Sequence, residues 1–135
     1  MPVRTYIDSG VLISALRGET RTASAAQGFL YDSLREYVTS DYVKVELLPK
    51  CVFHRNTVEQ EFYETFFNST SVRVTSSDEL LAFAIEEGTK TGISGLDAIH
   101  VACALIAGAD ELITSERSTK PIQRASGIKV ISINP

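Results

Sequence analysis

The alternation of short β-branched segments with helical segments restricts the fold of this chain more than any other feature. Val3–Ile7 is rich in β-branched and aromatic residues and predicts a first strand. Further strands are predicted at 37–39, 71–75, 112–114 and 128–133. Strands that alternate with helices predict a parallel sheet covered by helices on both faces. The length of 135 residues suits one sizeable core, so we expect a single domain over residues 1–135.

Six helices are predicted between the strands from apolar spacing, capping residues and helix-breaking residues. They cover residues 9–17, 20–33, 40–49, 56–67, 77–87 and 94–107. We expect Ser9 to cap the first helix and Pro49 to end the third. We expect the segment from Gly88 to Gly92 to break the fifth helix after about Glu87. The sixth helix is apolar nearly all round, which predicts a position deep in the core.

Four acidic residues lie where a carboxylate is unfavourable unless something compensates it. Asp8 and Glu116 directly follow predicted strands, and Glu46 and Asp97 lie in apolar helical segments. In parallel sheets, sites form beyond the carboxyl ends of the strands, where these residues could converge. A cluster of carboxylates predicts a hard divalent ion, Mg²⁺ or Mn²⁺.

The composition narrows the class of protein. No apolar run approaches the about 20 residues that a membrane-spanning helix needs. The first residues lack the long apolar segment of a leader peptide, so we expect a cytoplasmic protein without membrane association. The net charge of −4 argues against binding nucleic acid through a general positive field, although a local basic rim is compatible with it.

Four segments resemble the motifs of the PIN domain family, the metal-dependent ribonuclease fold of VapC-type bacterial toxins. They are Tyr6–Leu16 (YIDSGVLISAL), Glu46–Leu48 (ELL), Gly95–Ala102 (GLDAIHVA) and Glu111–Arg117 (ELITSER). The resemblance covers nearly the whole chain, and the first and third segments are the most specific. It implies a three-layer α/β/α fold with a central, mostly parallel sheet of about five strands.

The resemblance also implies roles for the acidic residues. Asp8 and Asp97 would be the primary metal ligands, and Glu46 and Glu116 would complete the catalytic site. Ser9 and Thr114 are expected to orient the metal ligands or water through hydrogen bonds, without binding the metal themselves. The family usually carries aspartate at the position of Glu116. The implied activity is cleavage of single-stranded RNA by the toxin of a toxin–antitoxin pair, with a cognate antitoxin and a homodimer as partners.

Each acidic residue also has a simpler structural interpretation. Asp8 could cap a helix, and Glu46 could pair with Lys50 on an exposed helical face. Asp97 could favour the first turn of its helix, and Glu116 could be an ordinary loop charge.

Two Cys/His pairs, Cys51 with His54 and His100 with Cys103, offer a zinc site as a rival to the carboxylate site. The simpler interpretation is that both cysteines are small core residues.

Basic residues near the proposed site elements are candidate RNA contacts, with ordinary surface charges as the alternative. They are Arg17, Arg21, Lys44, Lys50, Arg117 and Lys120. The main functional hypothesis is a metal-dependent endoribonuclease. The second is a catalytically weak PIN-like RNA-binding or regulatory module, in which Glu116 is the defect.

Overall fold

The computed structural model describes all 135 residues as five strands, six α-helices and one 3₁₀ helix. The strands are β1 (Val3–Ile7), β2 (Arg35–Ser40), β3 (Val72–Val74), β4 (Glu111–Thr114) and β5 (Lys129–Ser132). The α-helices are α1 (Ser9–Arg17), α2 (Thr20–Leu30), α3 (Asp41–Phe53), α4 (Thr57–Ser69), α5 (Asp78–Thr91) and α6 (Gly95–Ile106). The 3₁₀ helix, which the sequence did not predict, covers Pro121–Arg124.

All five strands pair in parallel, in the order β3-β2-β1-β4-β5. The predicted three-layer α/β/α architecture is confirmed. From β1 the chain first winds outward through β2 and β3, and then returns to place β4 on the other side of β1. The winding direction therefore reverses between β1 and β4, which is where open parallel sheets form their binding sites.

The two central strands supply the middle of the core. Tyr6 and Ile7 of β1 and Leu112 and Ile113 of β4 are fully buried. Helix α6 is also largely buried, as its apolar composition predicted, and it packs along α5 and against β2 and β4. Burial on both faces of a central strand explains why these strands are nearly continuous apolar runs.

Several predicted helix ends are wrong, and tertiary packing explains two of them. Helix α3 continues past Pro49 to Phe53, because Leu47 and Cys51 on either side of the proline are both buried in the core. This packing offsets the backbone hydrogen bond that proline removes.

Helix α5 continues through Gly88 to Thr91, and Gly92 caps it with a φ of 72°, the left-handed conformation that favours glycine. Its packing along α6 compensates for the low helix propensity of Gly88. Helix α2 ends at Leu30, three residues earlier than predicted.

None of the helices is both long and apolar enough to cross a lipid bilayer.

Candidate active site

Asp8 lies directly after β1 and caps α1. Its carboxylate accepts hydrogen bonds from the backbone N–H of Gly10 at 3.1 Å and from the Ser9 hydroxyl at 3.3 Å. The N-cap residue of α1 is thus Asp8, not Ser9 as predicted. Capping occupies Oδ1 and also places the charge at the positive end of the helix dipole. The structural interpretation of Asp8 is therefore correct, and it is compatible with a functional one.

The end of β4 lies beside Asp8. Because Ile7 is in register with Ile113, Thr114 falls next to Asp8, and its hydroxyl donates to Asp8 Oδ2 at 3.0 Å. The same hydroxyl accepts the backbone N–H of Glu116 at 3.1 Å. Thr114, itself fully buried, thereby fixes the positions of two acidic residues at the carboxyl edge of the sheet.

Glu46 reaches the site from α3, which begins after β2. Its Oε1 atom lies 2.8 Å from Nε2 of His100 on α6, and Glu46 makes no ion pair with Lys50. Ser9, whose hydroxyl donates to Asp8, is also close enough to Glu46 to contribute to the lowered pKa of that carboxyl group. The buried position of Ser9 fits the predicted orienting role.

Asp97 lies in the first turn of α6, and the Ser94 hydroxyl caps that helix by accepting the backbone N–H of Asp97 at 3.2 Å. Burial raises the pKa of Asp97, and the negative charges of Asp8 and Glu46 raise it further. Hydrogen bonding to Ser94 and the charge of His100 act in the opposite direction. Asp97 is therefore close enough to Asp8 and Glu46 for their negative charges to affect its ionisation.

The pKa of Glu116 is raised as well, first by burial and then by the charges of Asp97 and Asp8, while Lys120 opposes the shift. The hydrogen bond from His100 lowers the pKa of Glu46 despite partial burial. The structure thus places Asp8, Asp97 and Glu116 within electrostatic reach of one another at the carboxyl edge of the sheet, and Glu46 within reach of Asp97.

The donor set fits a hard divalent cation. The side chains at this edge offer carboxylate and hydroxyl oxygens, which are the ligands of Mg²⁺ and Mn²⁺. No three His, Cys, Asp or Glu side chains form a ready-made metal-binding group. Burial is the largest cause of the raised pKa values of Asp97 and Glu116, and neighbouring carboxylates add to it with negative charge that a cation would neutralise.

Comparison with known proteins agrees with this geometry. A sequence model of the family described as "PIN domain" matches residues 5–124. The chain belongs to the PIN domain family. A search of curated proteins finds no significant match.

Solved structures share the fold of this PIN domain. A toxin–antitoxin complex from Klebsiella pneumoniae is 17% identical with a TM-score of 0.68, and the match covers 96% of this chain and 97% of that one. VapBC2 from Rickettsia felis, bound to a DNA fragment from its promoter, is 14% identical with a TM-score of 0.71 and coverages of 96% and 98%. FitAcB from Neisseria gonorrhoeae is 14% identical with a TM-score of 0.70 and coverages of 96% and 97%.

The rival zinc site does not form in this PIN domain. Both ring nitrogens of His100 are engaged, Nε2 with Glu46 and Nδ1 with Tyr6. The Cys51 thiol lies 3.2 Å from the carbonyl oxygen of Leu48. Cys51 and Cys103 are buried core residues, as the simpler interpretation holds.

A groove of about 260 Å³ leads away from Glu46 between α1, α3 and α4. Two of the predicted basic residues, Arg17 and Lys50, line it. Arg17 is held there by an ion pair with the buried Glu59, which also accepts hydrogen bonds from Tyr63 at 2.6 Å and Asn56 at 2.8 Å.

The other predicted basic residues differ in their surroundings. The Lys44 ammonium nitrogen lies 5.3 Å from the centre of the Phe67 ring, and this contact explains the position of Lys44 without an RNA ligand. Lys120 is close enough to Glu116 to affect the pKa of that carboxyl group. Arg21 and Arg117 are exposed.

His100 is the site residue that the sequence interpretation missed. The sequence interpretation names it only as a possible zinc ligand, although it follows Asp97 by one helical turn. That spacing places two polar side chains on the same face of an otherwise apolar helix, and this was the available signal.

Proposed function

We propose that this PIN domain, comprising residues 1–135, is a divalent-metal-dependent endoribonuclease that cleaves single-stranded RNA. The observation that carries the proposal is the electrostatic coupling of Asp8, Asp97 and Glu116 where β1 and β4 end, with Glu46 acting on Asp97. Asp8 is tied to Thr114 there, and its charge acts on Asp97 and Glu116. Phosphodiester hydrolysis requires a deprotonated water and stabilisation of charge on phosphate.

In this proposal Asp8, Asp97, Glu46 and Glu116 hold Mg²⁺ or Mn²⁺. A bound ion would lower the pKa of an attacking water and offset the developing negative charge. Thr114 and Ser9 orient the carboxylate of Asp8 through their hydroxyl groups. Water or substrate oxygens are needed to complete the coordination.

The RNA backbone is proposed to follow the groove that leaves the site beside Glu46. Lys50 and the Arg17 guanidinium, held by Glu59, offer positive charge along that path. Phosphate contacts of this kind position a strand without reading its sequence. The net charge of −4 leaves RNA binding dependent on such local contacts.

We further propose that the protein is the toxin of a toxin–antitoxin pair, acting in the cytoplasm. The support is membership of the PIN domain family together with structural neighbours described as toxin–antitoxin complexes. A cognate antitoxin that covers the acidic edge is the implied partner.

A homodimer is the proposed assembly. A shallow, largely apolar pocket of about 480 Å³ lies between α5 and α6 and is lined in part by Leu81, Ile85 and Ile99. Light scattering of the purified protein tests this part separately from the activity.

The central test is cleavage of a labelled single-stranded RNA by purified protein with Mg²⁺, with Mn²⁺ and with EDTA. We expect cleavage with either ion and none in EDTA. Asp8→Asn is the matched variant, because asparagine still caps α1 but lacks the charge. Activity that persists in EDTA, or in Asp8→Asn, would contradict the metal mechanism.

The second candidate is a catalytically weak RNA-binding module, which the glutamate at position 116 favours. RNA binding without cleavage in the same assay would support it, and Glu116→Asp would then restore cleavage.

Growth arrest on expression without a partner, relieved by Asp8→Asn, tests the toxin role.

A further inference from the structure

A line of buried hydrogen bonds runs from the core to Glu46. His100 is only 2% exposed, and its Nε2 atom lies 2.8 Å from Glu46 Oε1. Its Nδ1 atom lies 2.7 Å from the Tyr6 hydroxyl, which is itself 2.8 Å from the Ser40 hydroxyl. Tyr6 and Ser40 are both fully buried. Three separate elements, β1, the end of β2 and α6, therefore act together on one side chain of α3.

The direction of each hydrogen bond follows from the chemistry of the groups. An ionised Glu46 can only accept, so Nε2 of His100 must donate. In the neutral ring Nδ1 then accepts, which requires the Tyr6 hydroxyl to donate to it. Tyr6 in turn accepts from Ser40, whose oxygen also caps α3 by accepting the backbone N–H of Val43 at 3.3 Å. Every polar atom in the line has a partner, and one tautomer satisfies them all.

Glu46 needs such an anchor more than the other acidic residues do. Asp8 is fixed by helix capping and by Thr114, and Asp97 lies in the first turn of a buried helix. The Glu46 side chain is long and 31% exposed, and no helix cap holds it. His100 fixes one carboxylate oxygen of Glu46 and leaves the other for the site.

We propose that His100, held by Tyr6 and Ser40, is a positioning residue that fixes the Glu46 carboxylate at the acidic edge of the sheet. Helix α6 then supplies both a site carboxylate, Asp97, and the anchor of another. The effect on metal binding and cleavage rests on the proposed function, whereas the hydrogen-bond arrangement does not.

The first experiment compares His100→Leu with His100→Gln. Leucine fills the buried space without a donor, whereas the glutamine amide nitrogen reaches approximately the place of Nε2. Calorimetric titration of the metal-free proteins with Mn²⁺ and RNA cleavage kinetics are the two readouts. We expect His100→Leu to weaken Mn²⁺ binding by about 10- to 100-fold and to lower kcat with little change in KM for RNA. His100→Gln should recover most of both.

Two further variants keep the experiment decisive. Tyr6→Phe retains the ring but removes the hydroxyl that holds Nδ1, and we expect an intermediate loss of Mn²⁺ affinity even if His100→Leu does not fold. His54→Gln changes the exposed second histidine and should leave Mn²⁺ affinity unchanged. Equal losses in the Leu and Gln variants, or unchanged Mn²⁺ affinity in a folded His100→Leu, would overturn the proposal.

A second experiment separates this inference from the proposed function. Long-range ¹H–¹⁵N NMR of the metal-free protein at alkaline pH reports which ring nitrogen of each neutral histidine carries the proton. With two histidines in the chain, His54→Gln assigns the signals. We expect His100 to be protonated at Nε2 and its signal to shift in Glu46→Gln. Protonation at Nδ1 would overturn the inference, and the Nε2 tautomer would support it even in a protein that cut no RNA.

Discussion

The Thr114 hydroxyl donates a hydrogen bond of 3.0 Å to the carboxylate of Asp8, across the junction between β4 and β1. It also accepts the backbone N–H of Glu116. One side chain therefore serves two acidic residues whose positions in the sequence are more than a hundred residues apart.

Replacing Thr114 by valine, which has nearly the same shape, removes both interactions. We expect Thr114→Val to lower the free energy of unfolding by about 1–3 kcal/mol, because it leaves the Glu116 N–H without its partner. RNA cleavage should fall more than stability alone explains. Urea denaturation measures the first effect, and Thr114→Ser, which keeps the hydroxyl, is the control that should retain most activity.

Asp97→Asn tests whether the carboxylates repel one another in the metal-free protein. The pKa of Asp97 is raised, so its ionisation opposes folding, and the wild type gains stability as pH falls through that pKa. In EDTA at neutral pH the variant should be as stable as the wild type or more stable, by at most about 1 kcal/mol after solvent screening. The difference should shrink in mild acid, because protonated Asp97 and asparagine are both neutral.

With magnesium present, the wild type should instead become more stable than Asp97→Asn. At a hundred times its dissociation constant the ion stabilises the wild type by about 2.7 kcal/mol, and Asp97→Asn should lose most of this gain. Thermal melts with EDTA and with magnesium measure both effects. Equal magnesium stabilisation of the two proteins would leave Asp97 a structural residue of α6.

The contribution of Glu59 to the free energy of unfolding should depend on pH with the sign opposite to that of Asp97. Burial alone would raise the pKa of Glu59, but the Tyr63 hydroxyl and the Arg17 guanidinium lower it overall. Its stabilising contribution is therefore present above the unfolded pKa, about 4.3, and is lost as pH falls through the folded pKa. We expect Glu59→Gln to cost about 1–2 kcal/mol at neutral pH and nothing in strong acid.

Urea titrations at the two pH values measure the change. Glu61→Gln, at an exposed position of the same helix, is the control and should behave like the wild type at both. A deficit of Glu59→Gln that persists in strong acid would indicate lost packing instead of lost charge.

Lys50 tests the proposed path of the RNA. Lys50→Gln should weaken binding of a single-stranded RNA several-fold at low salt. It should also reduce the slope of log K against log salt by about 0.7, the value for one phosphate contact. Lys129→Gln removes an equal charge at the start of β5, at the opposite edge of the sheet, and should leave binding unchanged. Fluorescence anisotropy over a salt series gives the affinity for RNA and the salt slope. Equal effects of the two variants would exclude the groove as the path of the RNA.

Gly10 lies where α1 and the segment after β4 approach closely. A Cβ atom on Gly10 would overlap the Ser115 hydroxyl oxygen and would lie 3.0 Å from the Ser115 Cβ atom. Rotating the hydroxyl relieves only the first contact, so we expect Gly10→Ala to destabilise the protein by about 1–3 kcal/mol. Adding Ser115→Gly should recover part of this loss in a double-mutant cycle.

Gly28 provides the matched control for that cycle. It lies in α2, where an added Cβ atom would meet no other atom within 4 Å, so Gly28→Ala should stabilise the helix by about 0.5–1 kcal/mol. If both alanine variants were stabilising, the close approach at Gly10 would not constrain the site.

The fold followed from the sequence because strand and helix patterns alternate and a parallel sheet has few ways to accommodate them. Residues directly after strands, such as Asp8 and Glu116, could be assigned to one edge because all parallel strands end there. Their metal-binding role stays a prediction. The register that sets Thr114 beside Asp8 depends on pairing between β1 and β4, and no local pattern specifies it.

The errors lie where packing overrides local preference. Pro49 and Gly88 are helix-breaking residues in isolation, yet both helices continue because their neighbours are buried. The line from Ser40 through Tyr6 to His100 joins residues from three elements, and no pattern within any one element indicates that they are hydrogen-bonded. A buried polar network of this kind becomes visible only when the elements are assembled.

The place of β4 between β1 and β5 has a consequence for protein synthesis. Because β1 precedes β4 in the sequence by all six helices, the place beside β1 in the sheet cannot be filled before residues 111–114 have been synthesised. Thr114 and Glu116 emerge with that late strand and its end. The acidic edge therefore cannot assemble until β4 has been synthesised and has paired with β1.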